Sequence, residues 1–287
     1  MGRVLTQAGS TSLVEQEQEF ELTDADFKYV QWYMHKTVGI FLSDRKRNMV
    51  YGRLSRKMRA NGVTRFSDYR EIIENSKTEQ ANFINALTTN KTEFFREYHH
   101  FEFLEGTALE QWKHQGNKSV NIWSAGCSTG QEPYSFVASL YAAGAFDLFD
   151  NVNVFASDLD TKVLDHAREG IYEKDAIESI PERYLKSCFV KGKGQYSDKI
   201  KVKKGLQDQI LFNQLNLFDK WPKMPQFDLI SCRNVMIYFD RETQEALIKR
   251  FHQALKPNGL LFIGHSESVG SCSNIFQHIG HTIYVKQ

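Results

Sequence analysis

The stretch Val120-Asn121-Ile122-Trp123-Ser124-Ala125-Gly126-Cys127-Ser128-Thr129-Gly130-Gln131-Glu132-Pro133-Tyr134-Ser135 constrains the fold more than any other part of the chain. An apolar strand runs into small residues and then into a helix with a proline in its first turn. Gly126 and Gly130 let the backbone turn sharply and approach a ligand closely. Pro133 suits a position where its missing N–H costs nothing. Strand, glycine loop and helix N-terminus together predict the ligand corner of a parallel α/β sheet.

At 287 residues the chain has room for one large domain and a small one. Its formal net charge of +1 excludes a uniformly basic surface, so an acidic partner must be met by a local patch. Cys127, Cys188, Cys232 and Cys272 lie far apart without a Cys-x-x-Cys pair, which argues against disulfides and zinc and for a reducing cytoplasm. Apolar runs are too short to span a membrane, and no secretory segment is expected. Met1-Gly2-Arg3-Val4-Leu5-Thr6 fits a myristoylation pattern that is short and common, and it is read as coincidence.

Residues 1–20 read as a polar, flexible tail. Residues 21–90 read as a helical domain. Its first helix is capped at Thr23 or Asp24, and its second runs from Ser43 or Asp44 to Asn61-Gly62. A third covers Phe66 to Ile73, and a fourth runs from about Glu79 to Leu87. Residues 91–118 form a junction. From 119 to 287 strands alternate with helices, as in a parallel sheet. Strands are expected at Asn121–Ser124, Val152–Ser157, Ile210–Gln214, Phe227–Cys232 and Leu260–Gly264, with a closing hairpin over 276–285. A helix capped by Asp240 is expected to stop at Pro257-Asn258-Gly259. The period-two pattern Lys199-Ile200-Lys201-Val202-Lys203 predicts an antiparallel strand in a small β-subdomain at about 189–206. Lysines that guard a sheet edge are the plainer explanation of that pattern.

In such a sheet the ligand lies at the carboxyl ends of the strands. The first strand leads to Glu132 and the second ends at Asp158, where an acidic residue typically meets ribose hydroxyls. The loop is not Gly-x-Gly-x-x-Gly and lacks Gly-Lys-Ser/Thr, which disfavours a dinucleotide or a triphosphate. An adenosyl ligand on a methyltransferase sheet remains.

Four blocks carry a resemblance. Asn90-Lys91-Thr92-Glu93-Phe94-Phe95-Arg96, Ser128-Thr129-Gly130-Gln131-Glu132-Pro133-Tyr134-Ser135, Cys232-Arg233-Asn234-Val235-Met236-Ile237-Tyr238-Phe239 and Leu260-Leu261-Phe262-Ile263-Gly264-His265-Ser266-Glu267 resemble the chemotaxis receptor glutamate methyltransferases (CheR) over about residues 21–287. The resemblance implies a small all-helical domain followed by a Rossmann-like, class I methyltransferase sheet with a terminal antiparallel hairpin and a β-subdomain. It implies S-adenosyl-L-methionine as methyl donor, S-adenosyl-L-homocysteine as product, and receptor glutamates as acceptors. Cofactor contacts would fall on Asn90, Thr92, Arg96, Glu132, Asp158, Asn216, Leu217, Asn234 and Val235, and the catalytic pair on Arg96 and Tyr238. No metal is implied, and the protein would act as a cytoplasmic monomer without inserting into the membrane.

The implied chemistry is self-consistent. A glutamate with an ordinary pKa of about 4.3 is an ionised nucleophile at neutral pH, so no general base is required. A site that excludes water and aligns the reactants supplies most of what remains. Arg96 or Tyr238 could hold the carboxylate in line, although a tight salt bridge would blunt it.

A second-helix stripe of Arg45, Lys46, Arg47, Arg53, Arg56, Lys57 and Arg59 reads first as a solvated face. The resemblance makes Arg53, Arg56 and Arg59 a docking face for the acidic methylation region of a receptor. No aromatic residues interleave with the stripe, which disfavours nucleic acid. The β-subdomain would bind a receptor's C-terminal peptide by strand addition through Gly192 and Gly194. However, Asp198 stands where the family's tethering members have a further glycine, and Lys191 and Lys201 replace arginine. His99-His100 lacks a third metal ligand at a sensible spacing. The remaining alternatives are a non-catalytic sensor of the same cofactor and a nucleic-acid methyltransferase. The latter lacks its Asn/Asp-Pro-Pro-aromatic motif at Asn234-Val235-Met236.

Overall fold

A computed structural model describes residues 19–287. The myristoylation pattern and nearly all of the expected tail lie outside these residues. The first helices are α1 (Asp24–Val38), α2 (Arg47–Ala60, entered through a 3-10 turn at Asp44–Lys46), α3 (Phe66–Asn75) and α4 (Lys77–Leu87). Thr23 and Asp26 cap α1 reciprocally, and Gly39 ends it in the left-handed region at φ 70°. Ser76 caps α4 through the Glu79 N–H at 3.2 Å. The inward faces bury Val30, Met34, Val50, Leu54, Tyr69 and Phe83 in one core.

After α4 the chain continues through α5 (His99–Phe103), a π-helical turn at Leu104–Ala108 and α6 (Leu109–His114). It then builds β1 (Ser119–Ala125), α7 (Gln131–Ala142), α8 (Ala145–Leu148), β2 (Asn151–Asp158) and α9 (Thr161–Glu169). Next come β3 (Ile171–Glu173), α10 (Glu182–Cys188), β4 (Phe189–Lys191), β5 (Lys199–Val202), α11 (Lys204–Gln207) and β6 (Ile210–Gln214). The chain closes with β7 (Phe227–Cys232), α12 (Arg241–Ala254), β8 (Leu255–Ile263), β9 (Phe276–Gly280) and β10 (Ile283–Lys286).

The large sheet has the order β6-β2-β1-β7-β8-β10-β9, parallel from β6 to β8 and antiparallel at β10 and β9. Alternation sends Val120, Ile122, Val154 and Leu229 to a core shared with α5 to α7, and Trp123, Ile230, Leu261 and Ile263 to one shared with α12. The order reverses at β1, so the loop after β1 sits at the switch point.

Three expectations change in detail. The small sheet has the order β3-β5-β4 and takes in Ile171–Glu173, before the expected start at 189. Its lysine-bearing strand β5 is the central strand, so Lys199 and Lys201 guard no edge; they alternate with buried Ile200 and Val202. Pro257-Asn258-Gly259 is no stop between helix and strand. Helix α12 passes directly into β8 at Leu255, and those residues lie in the strand's irregular start, with Asn258 at φ 59°.

Candidate active site

The carboxyl ends of β1, β2 and β7 open into a cleft of about 1070 Å³, counting its mouth. Val38 and Ile40 close one side, and residues 87–93 cross over it. The lining includes Asn90, Thr92, Arg96, Glu132, Asp158, Asn216, Leu217, Asn234, Val235 and Tyr238, residues from five separate segments of the sequence brought to one cavity.

The glycine loop is held from below. Gly126 and Cys127 donate their backbone N–H groups to the Ser157 carbonyl at 2.8 and 2.9 Å. Gly126 has φ +87°, and a Cβ there would strike the Val235 side chain. Ser128 donates its N–H to Asp158 Oδ2 at 2.8 Å and its hydroxyl to the Asn90 carbonyl at 2.8 Å. Asp160 caps α9 through the Lys162 N–H and accepts from Asn90 Nδ2 at 3.1 Å. Asn90 is thus fastened to both strand ends. Burial pushes the Asp158 carboxyl above its ordinary pKa, and N–H groups of Asp160 and Ser128 pull it back.

Arg233, to which no sequence pattern assigns a role, lies in the floor. Its Nη1 is 3.2 Å from Glu132 Oε2, its Nε is 3.2 Å from Glu97 Oε2, and its Nη2 donates to the Arg96 carbonyl. Glu132 also accepts from Ser124 Oγ at 2.7 Å, and Glu97 from the His265 N–H at 3.0 Å. Burial raises the Glu97 pKa, but Arg233 and the His265 bonds outweigh it and hold the carboxyl below its usual value. Beside it, Glu267 accepts from the N–H groups of Asn234, Gly264 and Ile237 at 2.9, 2.6 and 3.2 Å, which fixes the turn carrying Asn234 at φ 59°.

Arg96 is half-buried between two residues in the left-handed region, Phe95 at φ 52° and Glu97 at φ 54°. Such backbone persists only where its surroundings dictate it. Here the Phe95 N–H donates to Ser135 Oγ at 2.9 Å and its ring stacks on Tyr184 at 4.3 Å. The Phe94 ring meets Tyr172 of β3 at 4.8 Å and Phe189 of β4 at 5.4 Å, while the Tyr172 hydroxyl donates to the Thr129 carbonyl at 2.8 Å. The small sheet therefore touches both the glycine loop and the Arg96 loop. Among the described residues the Arg96 guanidinium has no hydrogen-bond or ion-pair partner, which leaves it available to a ligand.

Tyr238 lines the mouth, with Lys46 Nζ 5.2 Å from its ring centre. Burial, then Arg53, lowers the Lys46 pKa. The basic face of α2 divides. Arg53 donates to the Ala86 and Thr88 carbonyls at 3.2 and 2.5 Å and to Thr89 Oγ1 at 3.2 Å, so it braces the cleft roof. Arg59 pairs with Glu19 at 2.6 Å. Arg56 is exposed and has no ion pair among the described residues.

In the small sheet, a Cβ at Gly192 would overlap the Tyr196 carbonyl, and Gly194 turns at φ +60°. Both glycines are needed to shape the loop between β4 and β5. Lys191 and Lys201 are exposed.

His100 is fully buried. It stacks on Phe262 at 4.6 Å, with Nε2 3.0 Å from the His281 carbonyl. Glu97, His99 and His100 come close enough to share an ion, a grouping that sequence spacing missed. The carboxylate of that group, however, already faces Arg233 and His265. Cys127 and Cys232 are buried, and desolvation raises both thiols well above the ordinary value, as for packing residues. Among the described residues no helix is long and apolar enough to cross a membrane.

The residues fit an adenosyl donor. Asn234 lines the cleft, and its buried Oδ1 has no hydrogen-bond partner among the described residues. Acidic acceptors stand at two strand ends, and Leu217, Val235 and Phe239 supply apolar wall.

Comparison with known proteins gives the same picture. Residues 90–285 match the family model described as CheR methyltransferase, SAM binding domain, and residues 25–88 match CheR methyltransferase, all-alpha domain. The chain is 42% identical over 283 residues to the chemotaxis protein methyltransferase of Salmonella typhimurium, covering 96% of each chain. It is 41% identical over 285 residues to that of Escherichia coli, again covering 96% of each. It is 42% identical over 269 residues to chemotaxis protein methyltransferase 2 of Pseudomonas aeruginosa, covering 93% of this chain and 95% of that one.

Proposed function

The chain belongs to the CheR methyltransferase family and is an S-adenosylmethionine-dependent methyltransferase, and we propose that its methyl acceptors are glutamate side chains in the cytoplasmic methylation region of bacterial chemoreceptors. The observation that carries this reading is a single cleft lined by Asp158, Glu132 and Asn234 together with Arg96 and Tyr238. The bound donor supplies a methyl group activated by a positive sulfonium.

Asp158 accepts from the donor's ribose hydroxyls, and Glu132 and Asn234 offer further acceptors along the floor. Asn90, Thr92, Asn216, Leu217 and Val235 complete the donor's surroundings. Arg96 and Tyr238 orient the acceptor carboxylate, which arrives ionised and needs no base. Arg96 owes its aim to the Arg233 bond on its carbonyl and to the clamped backbone on either side. The roof at residues 87–93 keeps water from the meeting charges. Exposed Arg56 contributes to docking an acidic receptor surface, and the loop at Gly192 and Gly194 receives a receptor tail peptide by strand addition.

Incubation with receptor-bearing membranes and labelled methyl donor tests the reading. Label should enter the receptor and leave in base as volatile methanol, the behaviour of a carboxyl methyl ester. A protein that only senses the donor would bind it without any transfer.

A further inference from the structure

We propose that Phe41 and Ile237 form an apolar collar at the cleft mouth that receives a helix of the methyl-accepting protein, gripping apolar side chains one turn from the acceptor glutamate. The inference rests on the proposed function and adds the part of the substrate that is read.

Three observations carry it. The first is exposure: Phe41 and Ile237 keep 53% and 46% of their surface in water, unlike the buried apolar residues beside them, Leu42 and Met236. The second is position. The Phe41 N–H donates to the Tyr238 carbonyl at 2.7 Å, and Ile40 bridges to Phe239 in antiparallel fashion. Phe41 thus comes from the segment after α1 and Ile237 from the segment after β7, and the two segments are joined at Tyr238, which lines the cleft. The Ile237 backbone is held by its N–H bond to Glu267. The third is charge. Lys46 Nζ lies 5.2 Å from the ring centre of Tyr238, the residue whose carbonyl Phe41 bonds, and exposed Arg45 adjoins Lys46 in the turn before α2.

A partner complementary to this rim is acidic where it meets the cations and apolar where it meets Phe41 and Ile237. A helix meets both needs, because residues three and four apart share a face and bring an apolar side chain beside a glutamate.

The test uses Phe41→Ala, Ile237→Ala and the double variant in steady-state methylation of a receptor's membrane-bound form, with donor affinity measured in parallel. Truncating two partly buried contacts corresponds to a rise of roughly five- to thirtyfold in the receptor KM for the double variant. The kcat and donor affinity should stay within about twofold, and Phe41→Leu should recover most of the loss. An unchanged receptor KM overturns the collar, as does an equal loss of donor affinity, which would make these residues structural. If the unaltered protein transfers no methyl to receptors, the parent reading fails instead, and the collar falls with it.

Discussion

Arg233 Nη1 lies 3.2 Å from Glu132 Oε2, and this contact joins the end of β7 to the start of α7 across the floor of the cleft. The guanidinium is 2% exposed and also serves Glu97 and the Arg96 carbonyl. Replacing it by methionine leaves two largely buried carboxylates without their guanidinium. A stability loss of about 3–5 kcal/mol is expected, with lysine recovering only part of it because one ammonium cannot span both carboxylates. Urea unfolding measures this. A loss below about 1 kcal/mol would show that the floor does not depend on Arg233.

Gly126 is the tightest point of the glycine loop. Alanine there meets both the +87° backbone and the Val235 side chain. Donor affinity should fall about tenfold or more, corresponding to at least about 1.4 kcal/mol. The double variant Gly126→Ala/Val235→Ala should recover part of it, since the steric element is relieved while the backbone strain remains. Calorimetry with the donor product decides, and undiminished affinity in the single variant contradicts the geometry.

Burial lowers His100 to a pKa of about 3, with Arg233 and His99 acting in the same direction. The native state thus holds it neutral, while the unfolded chain protonates it near 6.5. Its stability contribution is complete above pH 6.5 and lost as pH falls from there towards 3. Between pH 6.5 and 5 the unaltered protein should lose roughly 2 kcal/mol relative to His100→Asn. Glu97, whose pKa is depressed, acts only at lower pH, and the carboxyls of Asp158 and Glu267, raised by burial, are common to both proteins, so the difference between the two curves reports His100. Parallel pH curves for the two proteins would refute the assignment.

Two neighbouring arginines on α2 should behave differently. Arg53 holds the Thr88 and Thr89 roof, so Arg53→Ala should weaken donor binding as well as methyl transfer. Arg56→Glu should raise the receptor KM about fivefold and leave donor affinity unchanged, with the effect shrinking as salt rises. Identical responses of the two variants would contradict the division of the basic face.

The parallel strands, the helix caps at Thr23 and Asp240, and the cleft residues were legible because each rests on a local signal: period, cap chemistry or a distinct block. Arg233 was quoted within such a block, yet its partners Glu97 and Glu132 lie more than 100 residues earlier. Nothing local announces that a guanidinium will be buried between them. The centre position of β5 was hidden for a related reason, since alternation shows one buried face but not whether neighbours pair on one side or both. Pro257-Asn258-Gly259 carries the chemistry of a turn, and only the pairing of β7 with β8 turns it into the irregular start of a strand.

The most direct test of the central claim is mass mapping of a receptor's cytoplasmic region after incubation with this protein and an isotopically labelled methyl donor. Labelled methyl is expected on glutamate side chains within the methylation region, lost on mild alkaline treatment. Label on any other residue type, or no label with a protein that binds the donor, would contradict it.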